Sequence, residues 1–154
     1  MNHPWVDAIL RMPLFQGFTE HGARHLLDVG QVKEHPPGAQ LCKEGEPAGA
    51  VLLLLSGSLR AYIERAGTEL PISDFGPGAI LGEVAMLCDI PWMVSVRALE
   101  GSTVLSWPDH AFRKLLFEDV FLSHRIFGNA LRALVEMEKE RVQAAEARRP
   151  TQAV

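Results

Sequence analysis

Between residues 38 and 108 the chain is interrupted by glycine at positions 38, 45, 49, 57, 67, 76, 78, 82 and 101, and the runs between are short and apolar or β-branched. Runs of that length, closed by residues that supply turn conformations, make strands rather than helices. Closely spaced strands joined by glycine turns form a closed roll or a sandwich. The alternation is clearest in Leu59, Ala61 and Ile63 against Arg60, Tyr62 and Glu64, which predicts one buried and one wet face. The longest apolar run, Ala50 to Leu55, is far short of the roughly 20 residues that a membrane span requires.

Helical patterns flank this region. From Pro4 to Met12, Trp5, Ala8, Ile9 and Met12 recur at helical spacing, and Pro13 ends the segment. Thr19 is a good N-cap for a helix over Glu20 to Val29, with Leu26 and Leu27 inward and His21, Arg24 and His25 in solvent. A strand from Val29 to His35 leads into the turn Pro36-Pro37-Gly38. After Pro108, Asp109 is placed to cap a helix that continues to about Arg149. Its apolar stripe comprises Phe112, Leu115, Leu116, Val120, Ile126, Phe127, Leu131, Leu134 and Val135, and Gly128 marks a bend or a close contact. From Glu136 to Arg149 four acids and four bases balance, so this segment is either a solvated extension or one strand of a weak coiled coil.

At 154 residues the chain fits one domain, with N-terminal helices over 1–28, the roll over 29–108 and C-terminal helices over 109–149. A net charge of −4 gives no general basic field for nucleic acid. Cys42 and Cys88 fit neither a CxxC pair nor a metal spacing, and are expected as reduced thiols. Of six histidines only His21 and His25 have an i, i+4 spacing, with no third ligand nearby. Ser56 and Ser58 flank a glycine without the strand-to-helix elbow of a nucleophile motif, so no enzyme is expected. Nothing near Met1 resembles a signal peptide, and the expected location is the cytoplasm.

The stretch Phe75 to Ala98, FGPGAILGEVAMLCDIPWMVSVRA, combines a tight Gly76-Pro77-Gly78 turn, a short run to Leu81, and Gly82 opening a helical turn over Glu83 to Leu87. A helical turn that opens after glycine aims free N–H groups at one point, which suits an anion. Taken alone, the same residues fit a structural turn in which Glu83 complements the helix dipole.

The neighbouring elements carry the argument further. Gly-Glu-Val-Ala-Met-Leu at 82–87, preceded by Phe75-Gly-Pro-Gly and followed by Pro91 and a strand ending Val96-Arg97-Ala98, resembles the phosphate-binding cassette of the cyclic-nucleotide-binding domain family. Pro13-Leu14-Phe15, Pro37-Gly38, Glu44-Gly45-Glu46-Pro47-Ala48, Leu55-Ser56-Gly57-Ser58-Leu59 and Phe112-Arg113-Lys114-Leu115-Leu116 follow in the family's order, so the resemblance covers nearly the whole chain. It implies a jelly-roll-like β-roll with flanking helices and a long C-terminal helix. Gly82 and the amides of Glu83, Val84 and Ala85 would face a cyclic phosphate, and the Glu83 carboxylate would accept from a ribose hydroxyl. Trp92 and Met93 would complete the ligand-binding set, with cyclic AMP or cyclic GMP as possible ligand and no cofactor. A homodimer through the C-terminal helix is the implied assembly.

Three features depart from the family pattern. Trp92 stands where the family has an arginine for the phosphate, and losing such a partner costs roughly 2–5 kcal/mol, or about one and a half to three and a half decades in affinity. Arg60 and Arg97 are alternative cations whose direction strand alternation leaves open. No Ser or Thr lies between Ser123 and Thr151 to face a purine, and Asn129, Glu136, Glu138 and Gln143 are the polar substitutes. Only Thr151 to Val154 follow the last helix, where transcription factors of the family continue into a helix-turn-helix, so neither direct DNA binding nor a membrane role is expected. Two readings follow: a module that senses a small ligand and signals through its C-terminal helix to a partner protein, or a degenerate pocket in a constitutive interaction or dimerisation module.

Overall fold

The apolar run noted above owes its composition to burial on both faces. In the computed structural model, which describes residues 3–150, the strand Ala50–Ser56 sends Val51, Leu53 and Leu55 toward a layer of helices and Leu52 and Leu54 into the interior of a roll. A strand covered on both sides reads as continuous rather than alternating hydrophobicity.

The strands are β1 (Gln31–His35), β2 (Gln40–Cys42), β3 (Ala50–Ser56), β4 (Leu59–Arg65), β5 (Thr68–Phe75), β6 (Ile80–Leu81), β7 (Ser95–Ala98) and β8 (Ser102–Pro108). They form two four-stranded sheets, ordered β1-β8-β3-β6 and β2-β7-β4-β5, with every recorded pairing antiparallel. The helices are α1 (Val6–Leu10), α2 (Glu20–Asp28), α3 (Glu83–Cys88), α4 (Asp109–Glu118) and α5 (Val120–Ala147), with a 3-10 turn at Pro13–Phe15. The expected β-roll with flanking helices and a long C-terminal helix is therefore the fold observed.

One core lies between the sheets, where Leu54, Leu59, Val96 and Val104 pack with Trp92. The other joins the outer face of the β3/β8 sheet to the helices through Ile9, Phe15, Leu26, Trp107, Phe112 and Ile126. Trp107 ties its strand β8 to α2, since its Nε1 donates to the Leu26 carbonyl at 2.8 Å. A buried indole N–H needs such a partner.

Several local expectations are corrected. The first helix is shorter than Pro4 to Met12, because Met12 precedes Pro13 and takes an extended backbone (ψ 134°). Val29 caps α2 and does not begin β1. Tyr62 is buried where a wet face was expected: a register irregularity between Ala61 and Tyr62 breaks the alternation. Its ring lies under Arg97, and its hydroxyl accepts from Gln40 Nε2 at 2.8 Å. Asp109 opens α4 without capping it, and its carboxylate pairs with Arg113 one turn on. Gly128 sits inside a continuous α5, and a β-carbon there would meet only Arg132 Nη1 at 3.6 Å, so it marks neither bend nor close contact.

Other expectations hold. The Thr19 hydroxyl accepts from the Gly22 amide at 2.9 Å, and Leu26 and Leu27 are buried. Cys42 and Cys88 are free thiols, the first buried and the second exposed. Among the described residues no helix is long and apolar enough to cross a membrane. Met1, Asn2 and Thr151 to Val154, on which the readings of the two termini rest, lie outside the described residues.

Candidate ligand pocket

The cassette begins where β6 ends. Gly82 has φ +90°, a conformation in which an L side chain is strained, and it turns the chain directly into α3. The first helical bond there runs from the Met86 amide to the Gly82 carbonyl at 3.0 Å, so the amides before it have no intrahelical acceptor.

The far end of α3 is closed by Asp89 in the left-handed conformation (φ 54°), with the Ile90 amide returning to the Ala85 carbonyl at 3.0 Å. Arg113 of α4 secures this end. Its Nη2 donates to the Met86 carbonyl at 2.6 Å and to Asp89 at 2.8 Å, while its Nε donates to Asp109 at 2.6 Å. A cation on the last carbonyls of a helix is favourable in sign as well as geometry.

Trp92 decides the character of the interior. Its backbone is pinned on both sides, the amide donating to Glu46 at 3.0 Å and the carbonyl accepting from Gly45 at 2.8 Å. Its ring is 8% exposed and joins the inter-sheet core. A β-carbon on residue 82 would lie 2.6 Å from Trp92 Cη2 and 2.9 Å from the Ala50 carbonyl oxygen, so the indole rests directly against the cassette glycine.

Glu83 is 7% exposed and forms no ion pair among the described residues. Burial pushes its carboxyl above the ordinary range, with its own amide as a smaller opposing influence. Neither alternative cation relieves it. Arg60 is held by Asp74 at 2.7 and 2.9 Å, and Arg97 lies over Tyr62 and pairs with Glu69.

A cavity of about 670 Å³ opens in front of these residues, a size ordinary for a small-molecule site. Gly82, Glu83, Val84, Ala85, Trp92 and Met93, named from the sequence, all line it. Phe75, Leu81 and Val94 continue the apolar wall, and Leu14 contributes from the N-terminal segment.

The opposite wall comes from α5 and was largely missed by sequence reasoning. Arg125, Asn129, Arg132 and Ala133 line the cavity; of these only Asn129 was among the anticipated polar substitutes, while Glu136, Glu138 and Gln143 do not reach it. Positions 125, 129 and 132 stand at i, i+4 and i+7, so the helical period carried the signal. Arg125 is committed to the Gln16 carbonyl at 2.8 Å and to the Phe121 ring, whereas Arg132 makes no hydrogen bond or ion pair among the described residues.

Comparison with known proteins agrees with this layout. Residues 32–119 match the family described as "Cyclic nucleotide-binding domain". The chain is 33% identical over 112 residues to a cAMP-dependent protein kinase regulatory subunit of Colletotrichum orbiculare, covering 73% of this chain and 28% of that protein. With the corresponding subunit of Pyricularia oryzae the identity is 29%, over 92% of this chain and 35% of the relative. The chain thus spans about a third of the curated relatives it matches. Its fold is that of the Thermus thermophilus catabolite activator protein, with a TM-score of 0.79 at 24% identity, over 86% of this chain and 63% of that one. A match over more than half the chain, on a roll whose glycine-opened cassette faces one cavity, carries the assignment: this chain belongs to the cyclic nucleotide-binding domain family.

Proposed function

We propose that this protein is a non-catalytic regulatory module of the cytoplasm, which binds a small ligand in the cavity and signals through α4 and α5 to a partner protein. The observation that carries this reading is the cavity's double wall: the cassette forms one side and α5 the other. A ligand seated there touches both, and it shifts α5 by binding one helix position more tightly than another. Arg113 adds a second route, since it ties the end of α3 to α4. The joint between α4 and α5 is at Asp119, whose side chain caps α5 by accepting from the Leu122 amide at 3.0 Å.

The regulatory subunits that resemble this chain are named as cAMP-dependent, and on this reading cyclic AMP or cyclic GMP is a weak ligand here because Trp92 replaces the cationic partner. Hydrogen exchange with and without millimolar cyclic AMP tests the signalling step. Protection is expected to change at residues 82–87 and at 136–149 together; a change at the cassette alone would show binding that does not reach the helix and would refute the switch.

A specific observation favours a second reading, that of a constitutive dimerisation module. Phe127, Leu131, Leu134 and Val135 of α5 are 46%, 61%, 43% and 50% exposed, an apolar seam suited to a second copy of the chain. On that reading the protein is a dimer whose association does not respond to ligand.

A further inference from the structure

The polarity of the cavity is the reverse of what a phosphate at the cassette needs. The cassette side holds a buried carboxylate, Glu83, with no ion pair among the described residues, and an indole packed onto Gly82. An anion placed there meets like charge across a poorly solvated gap, where such an encounter costs most. The cationic groups that line the cavity are instead Arg125 and Arg132, both on α5. Arg125 already spends donors on the Pro13 and Gln16 carbonyls, which leaves Arg132 as the lining guanidinium that makes no hydrogen bond or ion pair among the described residues, with Asn129 three positions before it on α5 as an amide donor. Much of the remaining lining is apolar, including Leu81, Val84 and Trp92.

We propose that the cavity takes an amphipathic monocarboxylic acid, its carboxylate held by Arg132 and Asn129 and its apolar body lying along Val84 and Trp92 toward Glu83. The inference rests on the reading of this cavity as the sensory site, and it deepens that reading by naming the ligand class. A planar guanidinium pairs with a carboxylate through two parallel hydrogen bonds. An apolar chain gains by leaving water in proportion to the area it buries against Trp92 and its neighbours. Glu83 sets the selectivity: it admits a neutral or hydrogen-bond-donating far end and rejects a second anion.

Calorimetry on the full chain with octanoate, octanedioate, octan-1-ol, cyclic AMP and cyclic GMP tests this directly. Octanoate is expected to bind once per chain, with octanedioate and octan-1-ol each at least tenfold weaker. Arg132→Ala should weaken octanoate about tenfold, the lower range for hydrogen bonds to a charged group, because Arg132 is exposed. Arg132→Lys should recover part of that loss. Failure of octanoate to bind, equal binding of octan-1-ol, insensitivity to Arg132→Ala, or tighter binding of either cyclic nucleotide would each overturn the proposal. These outcomes are separate from those of the signalling reading: octanoate that binds through Arg132 without altering exchange at 136–149 would sink the switch and leave the ligand class standing.

Discussion

Replacing Gly82 by alanine tests the closest contact of the pocket, and Gly38 supplies an internal reference. Both glycines have a left-handed backbone, at φ +90° and φ +84°, but a β-carbon at 38 meets nothing within 4 Å, whereas one at 82 meets Trp92 Cη2 at 2.6 Å and the Ala50 oxygen at 2.9 Å. The backbone term of about 1–2 kcal/mol is therefore common to both, as is the entropy that alanine removes from the unfolded chain. Only Gly82→Ala adds overpacking, at about 1–3 kcal/mol, since a buried indole and a strand carbonyl cannot swing aside. Gly38→Ala should cost about 1–2 kcal/mol and Gly82→Ala about 2–5 kcal/mol, read as midpoint shifts in urea with an unchanged slope. In a Trp92→Leu background the cost of Gly82→Ala should fall by about 1 kcal/mol, while the part due to the Ala50 oxygen persists. Equal losses at positions 38 and 82 would refute the placement of the indole against the cassette, and with it the account of why a phosphate is poorly received.

Three further outcomes are expected. Because burial raises the Glu83 pKa above the ordinary 4.5, the folded state holds a proton that the unfolded state releases, so the Glu83 contribution to stability is full below pH 4.5 and is lost as pH rises through the folded value. Urea titrations should thus show Glu83→Gln gaining on the natural protein as pH rises from 4.5 to 7, and parallel pH profiles would contradict an unpaired carboxylate there. Burial also pushes the Cys42 thiol up to about 12, while Cys88 is exposed; iodoacetamide at pH 8 should modify Cys88 and reach Cys42 only after unfolding, as peptide mass mapping would reveal. Finally, sedimentation at tens of micromolar should find a dimer that Leu131→Glu dissociates, since that change buries a charge in the seam; a monomer, or a dimer indifferent to the substitution, would remove α5 as the interface.

The resemblance was legible because its signals are local. Gly78 and Gly82 are demanded by turns that few other residues can make, and Thr19 caps its helix through an atom three residues away. A short-range constraint of this kind is written in adjacent letters. The same is true of the shared cavity wall formed by Glu83, Val84 and Ala85.

The sequence by itself determined the order of elements, the roll and the position of the cassette, since each follows from backbone chemistry within a few residues. Tertiary structure alone decided what the cassette faces. Trp92 could have stood over the cavity or filled it, and the burial of its ring against Gly82 depends on a core cluster that gathers Leu54, Leu59, Val96 and Val104 from distant parts of the chain. The burial of Tyr62 arose from partners at positions 40 and 97 and from a register irregularity that alternation does not encode. Arg125 and Arg132 share a helical face with Asn129, but only the packing of α5 turns that face toward the pocket and leaves one guanidinium occupied and the other without a hydrogen bond or ion pair among the described residues. Charge complementarity depends on which groups end up opposed, and that is a property of the folded chain rather than of any segment within it.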